Sequence, residues 1–168
     1  VRHQPQLTST SPKAPTRDAL DPTRPYLITG GTGTLGLICA RHLIKRGARR
    51  LVLCGFRVQR PFTTADRAHH LELERQISDL RALGAEIETY AGPLSSSRFS
   101  RLCQQMRRSW GPWGGVIHCA GRMAPVGQFA RADLEELLKT ISAKSDLWEF
   151  GPDLVATSPA PAFVILFS

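Results

Sequence analysis

The sequence predicts an α/β fold with a doubly wound parallel sheet, and two observations support this prediction. Five short apolar segments have the length and composition of buried strands, at residues 26–29, 50–54, 87–90, 116–118 and 163–167. Most of the stretches between them carry apolar residues at helical spacing. Because strands that alternate with helices form parallel sheets with right-handed crossovers, we expect that arrangement here.

The helices are predicted from their periodic faces and their start signals. The first helix follows the first strand, and its apolar face is made of Leu35, Cys39, Leu43 and Ile44. The third helix is the clearest, because a serine cluster at residues 95–97 offers an N-cap. Its apolar face is made of Phe99, Leu102, Cys103, Met106 and Trp110.

Length and composition indicate one domain with a polar extension. A chain of 168 residues fits a single domain. Residues 1–24 are rich in Pro, Ser, Thr and Arg without apolar periodicity, so we expect a linker or the end of an upstream subdomain there and the domain itself at residues 25–168. The sequence shows neither a secretory leader nor an apolar run of membrane length, which predicts a soluble, cytoplasmic protein with no membrane partner.

The basic residues and the cysteines exclude some functions. The formal net charge is +8, but the basic residues are spread out and lack the interleaved aromatic residues of a base-stacking surface. A nucleic-acid-binding protein is therefore a remote alternative, and an acidic protein or a phosphate-bearing cofactor fits the charge as well. No metal site is expected, because the cysteines lack ligand spacing and are interpreted as small buried apolar residues. These are Cys39, Cys54, Cys103 and Cys119.

The stretch TGGTGTLG, directly after the first predicted strand, has the pattern of a phosphate-binding turn. Its glycines match both GxGxxG and GxxGxxG, which place backbone amides and a helix N-terminus against a pyrophosphate. Between a strand and an amphipathic helix, this motif predicts a Rossmann-like dinucleotide site, and the alternative is a tight turn without a ligand. The predicted contacts are Thr29, Gly30, Gly31, Thr32, Gly33, Thr34, Leu35 and Gly36.

The segment after the second strand favours NADP(H) over NAD. An NAD site places Asp or Glu near the end of that strand, where the carboxylate binds the ribose hydroxyls. The segment here reads LVLCGFR, which has no acid and offers the guanidinium of Arg57 for a 2′-phosphate. The alternative is that Arg57 is a solvated loop cation.

Six stretches in order carry a family resemblance: YLITGGTGTLG, ARHLIKRGARRLVL, LRALGAEI, GPWGGVIHCAG, SAKSDLWEF and PAFVILFS. Together they closely resemble the ketoreductase domains of modular polyketide synthases, which belong to the short-chain dehydrogenase/reductase superfamily. The resemblance implies that NADPH reduces a β-ketoacyl thioester, carried on the phosphopantetheine of an acyl carrier protein, to the β-hydroxyacyl form. It also implies other synthase domains as partners, in the same or a partner chain, and a Rossmann-like sheet truncated after its fifth strand.

The resemblance implies catalytic Ser, Tyr, Lys and Asn residues. The lysine maps onto Lys144, at the border of an apolar helical face, although a snorkelling surface lysine is the alternative. Ser168 aligns with the first of two family serines, of which the second is most often catalytic. Cys119, Ala120 and Gly121 map onto the loop after the fourth strand, where small residues let the backbone approach the cofactor. His118, just before them, is expected to be a strand residue.

Several positions depart from the family pattern. The family's tyrosine and asparagine come later than the position of Ser168, and this chain has no asparagine. Gly92 stands where the family usually has an adenine-contacting aspartate, and Phe56 stands in place of one arginine of a pair. Two interpretations stay open: a fragment of a ketoreductase whose activity belongs to a longer chain, and a catalytically inactive dinucleotide-binding or structural module.

Overall fold

The computed structural model describes residues 19–55, 64–121 and 159–167 of the chain. The strands in these ranges are β1 (Pro25–Thr29), β2 (Arg50–Gly55), β3 (Glu86–Ala91), β4 (Gly115–His118) and β5 (Val164–Leu166). The helices are α1 (Thr34–Lys45), α2 (Thr64–Ala82) and α3 (Ser97–Trp110). The strands thus lie where the apolar segments predicted them. None of these three helices is long and apolar enough to cross a membrane.

The five strands form one parallel sheet in the order β3-β2-β1-β4-β5. From β1 the chain runs outward through β2 to β3. It then crosses back to place β4 on the other side of β1, with β5 beyond it, which confirms the doubly wound prediction. Thr29, the last residue of β1, is paired with Cys54 of β2 on one side and His118 of β4 on the other. In such sheets, ligands bind where the strand order reverses, at the carboxyl ends of the strands. Here that position lies between β1 and β4.

The sheet is covered on both faces, which explains why its central strands are continuously apolar. On one face, Tyr26 and Ile28 belong to a core cluster that also contains buried residues of α1 and α2. On the other face, Leu27 belongs to a cluster with the buried side of α3. The predicted face of α3 is confirmed by its buried residues, which are Phe99, Cys103 and Met106.

The predicted apolar face of α1 is buried in its later turns and exposed at its start. Leu43 and Ile44 are buried as expected, but Leu35 is 41% exposed and Ile38 is 60% exposed. The first turns of α1 begin directly after the glycine turn, at the carboxyl ends of the strands, and Leu35 is left uncovered there. The exposed Leu35 instead flanks the glycine turn.

Residues 19–24 pack against the start of the domain. The backbone N–H of Leu20 donates to the Arg46 carbonyl at 2.7 Å, and the Leu20 side chain packs on the core. The Arg50 guanidinium donates to the Thr23 carbonyl at 2.9 Å. A domain boundary at residue 24 stays a prediction. The predicted site residues Arg57, Lys144 and Ser168 lie outside the described residues.

Candidate cofactor-binding site

The turn that leaves β1 lies directly against the loop that leaves β4. Gly30 has a φ of +67°, and a Cβ added there would lie 2.6 Å from the carbonyl carbon of Cys119 and from the amide nitrogen of Ala120. Both the backbone conformation and the lack of space therefore require glycine at this position. The Gly31 amide donates to the Cys54 carbonyl at 2.8 Å, which attaches the same turn to the end of β2.

The first turn of α1 packs tightly onto this glycine turn. A Cβ on Gly36 would overlap the Gly30 carbonyl oxygen and would lie 2.5 Å from the Gly31 Cα. The helix can begin this close to β1 only because Gly36 has no side chain. The carboxyl ends of three strands and the N-terminus of α1 are thus brought together in one small region.

The N-terminus of α1 has no side-chain cap. Its N-cap residue is Gly33, and its first turn contains no acidic residue. The Leu37 amide donates to the Gly33 carbonyl at 2.9 Å, so the amides of Thr34, Leu35 and Gly36 precede the first intrahelical hydrogen bond. These three donors, with the positive end of the helix dipole, form a favourable position for an anion.

The start of α3 provides a contrast within the same molecule. The Ser96 hydroxyl oxygen accepts a hydrogen bond from the Phe99 amide at 3.2 Å, which satisfies one of the free donors at that helix end. A side-chain cap is therefore present at α3 and missing from α1, where a ligand could take its place.

The structure divides the predicted contact residues into a supporting set and an accessible set. Thr29, Gly31, Thr32 and Gly36 are buried. Gly30, Gly33, Cys119 and Ala120 are half-buried, whereas Thr34, Leu35 and Gly121 are exposed. The accessible residues form the rim of the α1 N-terminus and of the loop after β4. A bound dinucleotide would meet this rim first.

Thr29 supports the site from behind rather than reaching a ligand with its side chain. It is 1% exposed, its carbonyl accepts the Cys119 amide at 2.8 Å, and its hydroxyl lies 2.6 Å from Nδ1 of His118. The Thr32 side chain supports the turn in a similar way, because it occupies the space that a Cβ on Gly55 would need. The prediction that Thr29 and Thr32 contact the cofactor stays a prediction, and their buried side chains favour contacts made through the backbone.

His118 is a buried strand residue, as expected from the sequence. Burial lowers the pKa of the His118 imidazole, so the neutral form is favoured inside the fold. Its bond to Thr29 joins the carboxyl ends of β1 and β4. No sequence signal predicted this bond, because the two residues are 89 positions apart in the chain.

The cysteines are of two kinds. Cys54 and Cys103 are buried, as predicted, but Cys39 and Cys119 are only half-buried. The Sγ atoms of this second pair are 3.9 Å apart. The interpretation of all four as small buried apolar residues is therefore wrong for Cys39 and Cys119 in the extent of their burial. Within the described ranges, no group of three or more His, Cys, Asp or Glu residues could hold a metal ion.

Gly92 follows β3 at the position where the resemblance leads one to expect an aspartate. Its φ is +151°, a backbone conformation that residues with side chains rarely adopt. The Gly92 amide donates to the Gly55 carbonyl at 3.3 Å, which links the ends of β3 and β2. An aspartate at this position would rarely adopt the same backbone conformation.

The strand order, the glycine turn and the uncapped helix define a Rossmann-like dinucleotide-binding domain. A family profile described as "KR domain" matches residues 25–167. The chain belongs to this family, the ketoreductase domains of polyketide synthases within the short-chain dehydrogenase/reductase superfamily. Members of the family bind nicotinamide dinucleotides.

Two curated relatives are polyketide synthases. The chain is 36% identical over 169 residues to erythronolide synthase EryA2 of Saccharopolyspora erythraea, covering 99% of this chain and 4% of the synthase. It is 33% identical over 148 residues to polyketide synthase PksL of Bacillus subtilis, covering 84% of this chain and 3% of the synthase. The chain therefore spans only a few per cent of the length of these relatives.

Solved ketoreductase structures share the fold. An A1-type ketoreductase superposes with a TM-score of 0.70 at 29% identity, over 94% of this chain and 31% of the solved one. A ketoreductase domain from the bacillaene assembly line gives a TM-score of 0.69 at 26% identity, over 86% of this chain and 32% of the solved one. The chain therefore spans about a third of each solved ketoreductase.

Proposed function

We propose that this chain is the nucleotide-binding part of an NADPH-dependent reductase of a polyketide synthase. The reaction would convert a β-ketoacyl thioester, carried on an acyl carrier protein, to the β-hydroxyacyl form. The observation that carries the proposal is the contact of Gly30 with the backbone of Cys119 and Ala120, beside the uncapped start of α1. A close backbone approach next to free amides suits a pyrophosphate, and it lies where the strand order reverses.

The residues of the turn after β1 and of the start of α1 fit an NADP(H) molecule. The amides of Thr34, Leu35 and Gly36 would bind the pyrophosphate, and Gly33 leaves its approach open because it has no side chain. Arg57, which follows β2, would bind the 2′-phosphate through its guanidinium. Bound NADPH supplies the hydride for the β-carbon. The exposed Leu35 side chain would pack against the cofactor beside the glycine turn.

Lys144 and Ser168 are proposed for the chemistry on the basis of the resemblance. The charge of Lys144 would lower the pKa of the family's tyrosine, which the resemblance places later in the chain. Ser168, or the serine that follows it in the family, would donate a hydrogen bond to the ketone oxygen as that oxygen gains charge.

The basic end of α3 is the proposed docking position for an acidic carrier protein. Arg107 and Arg108 lie in its last turn and are exposed. With Gln104, Pro112 and Pro159 they line a shallow cavity of about 350 Å³. Exposed cations beside a concave surface attract and orient an acidic partner. We further propose that the other synthase domains are partners in the same or a neighbouring chain, and that the protein acts in the cytoplasm.

The test compares carrier-bound and small β-ketoacyl thioesters with the protein at its native length, by following NADPH oxidation. Arg107→Glu/Arg108→Glu should lower kcat/KM for the carrier-bound substrate about tenfold and leave the small thioester unaffected. Arg41→Glu/Arg67→Glu reverses two exposed charges on helices that pack on the opposite face of the sheet, and it is the matched control. Equal losses in both double variants would contradict docking at α3.

A catalytically inactive dinucleotide-binding module is the second candidate. Gly92 is the observation behind it, because a glycine offers no carboxylate to the adenine and would loosen the hold on the cofactor that turnover requires. This candidate predicts saturable NADPH binding by the native-length protein together with no NADPH oxidation on either substrate. The reductase proposal predicts saturable NADPH binding and NADPH oxidation.

A further inference from the structure

Cys39 and Cys119 form a thiol pair beside the glycine turn. The Cys119 thiol lies 3.9 Å from the Cys39 sulfur, and both side chains pack at the edge of the core cluster between the sheet and α1. Cys119 follows Ile117 by two positions, which places both side chains on the sheet face that α1 covers. Both residues are half-buried rather than fully enclosed.

We propose that Cys39 and Cys119 are an oxidisable dithiol that closes to a disulfide and ties α1 to the loop after β4. A disulfide needs an Sγ–Sγ separation of about 2.05 Å, so the two sulfurs must approach by about 2 Å. Closure would combine side-chain rotation with a small movement of the loop. The two residues are 80 positions apart, so the bond would close a long loop of the chain.

The oxidant is a low-molecular-weight disulfide such as oxidised glutathione. One cysteine thiolate attacks it, which forms a mixed disulfide and releases one glutathione thiolate. The second cysteine then attacks the sulfur of the first cysteine in that mixed disulfide, which forms the intramolecular bond and releases the second glutathione. Two electrons pass from the protein to the oxidant, and the two thiol protons leave with the two reduced glutathiones.

The surroundings of the pair slow its oxidation. Burial, together with the neighbouring Cys39 thiol, raises the pKa of Cys119 to about 12. Because the thiolate is the attacking species, exchange is slow at neutral pH and faster in mildly alkaline buffer.

The disulfide would also affect the cofactor site, and this consequence rests on the proposed function. The backbone of Cys119 already lies so close to Gly30 that a Cβ would not fit between them. Movement of Cys119 towards α1 therefore displaces the turn that would hold the pyrophosphate. We expect the oxidised form to bind NADPH about tenfold more weakly, since displacements on the order of 1 Å at such sites are costly. By linkage, bound NADPH should oppose oxidation by the same factor.

The experiment treats the native-length protein with graded ratios of oxidised to reduced glutathione in mildly alkaline buffer, followed by intact mass and peptide mapping. The wild type should lose two hydrogen atoms and yield a peptide that links Cys39 to Cys119. Cys39→Ser should stop at a mixed disulfide or stay unmodified. Cys103→Ser, which removes a thiol from the opposite face of the sheet, is the matched control and should form the same link as the wild type.

Absence of the Cys39–Cys119 link in the wild type overturns the proposal, as does a link that joins other cysteines instead. NADPH titrations of the reduced and oxidised proteins then test the coupling. Equal affinities of the two forms overturn the effect on the cofactor site. Failure of the reduced protein to bind NADPH overturns the proposed function, whereas the peptide map alone decides the dithiol.

Discussion

Substituting Gly36 by alanine should damage the cofactor site more than the fold. The added Cβ would lie 2.5 Å from the Gly31 Cα, where ordinary contacts begin at 3.4 Å, and it would also overlap the Gly30 carbonyl oxygen. To restore an ordinary contact, the glycine turn must therefore move away from α1 by the difference, 3.4 − 2.5 = 0.9 Å. The obstacles are backbone atoms, which cannot rotate out of the way as a side chain could.

The expected magnitude follows from that displacement. A shift on the order of 1 Å in a group that positions a ligand can cost up to about a hundredfold, so we expect NADPH affinity to fall between tenfold and a hundredfold. Overpacking costs about 1–3 kcal/mol of stability. Alanine has a higher helix propensity than glycine, which offsets up to about 1 kcal/mol of that loss. The free energy of unfolding should therefore fall by roughly 2 kcal/mol or less.

The assay pairs an NADPH titration with chemical denaturation of the native-length protein. Gly84→Ala is the matched control, because Gly84 has a φ of +85° with nothing within 4 Å of its Cβ position. That variant should lose about 1 kcal/mol from backbone strain and keep its NADPH affinity. A folded Gly36→Ala protein that binds NADPH as tightly as the wild type would refute the assignment of the glycine turn.

Three further predictions concern stability, each measured by chemical denaturation. Burial lowers the pKa of His118 below its usual 6.5, so the unfolded chain binds the proton first and stability should fall as the pH drops below 6.5. His118→Gln should reduce that pH dependence, and an unchanged profile would contradict the assignment. Ser96→Ala removes the cap on the Phe99 amide and should cost about 1 kcal/mol, with NADPH affinity as the unaffected control. Gly115→Ala places a Cβ against the Phe163 ring and should cost about 1–3 kcal/mol, whereas full stability would show that the ring moves freely.

The strands and α3 could be predicted because their signals are local. Central strands of a parallel sheet are apolar on both sides, and a run such as LVLC in β2 shows this directly. The start of α3 is visible as serines followed by a strongly periodic face. The glycine turn was also predictable, since a strand, a glycine pattern and a helix follow one another within a few residues.

The contacts between distant segments could not be predicted in the same way. The Thr29–His118 bond and the Cys39–Cys119 pair span 89 and 80 positions, and both exist only because β4 returns to lie beside β1. Local patterns do not specify that return. The exposure of Leu35 was likewise beyond the local pattern, because periodicity indicates an apolar face but not whether the sheet extends far enough to cover it.

The central claim is that the turn after β1 and the start of α1 bind NADP(H). The most direct measurement is a parallel titration of the native-length protein with NADPH and NADH, using the fluorescence of the bound nicotinamide. We expect saturable binding of NADPH, at least about tenfold tighter than that of NADH because Arg57 would pair with the 2′-phosphate. The absence of saturable binding for both nucleotides would contradict the claim.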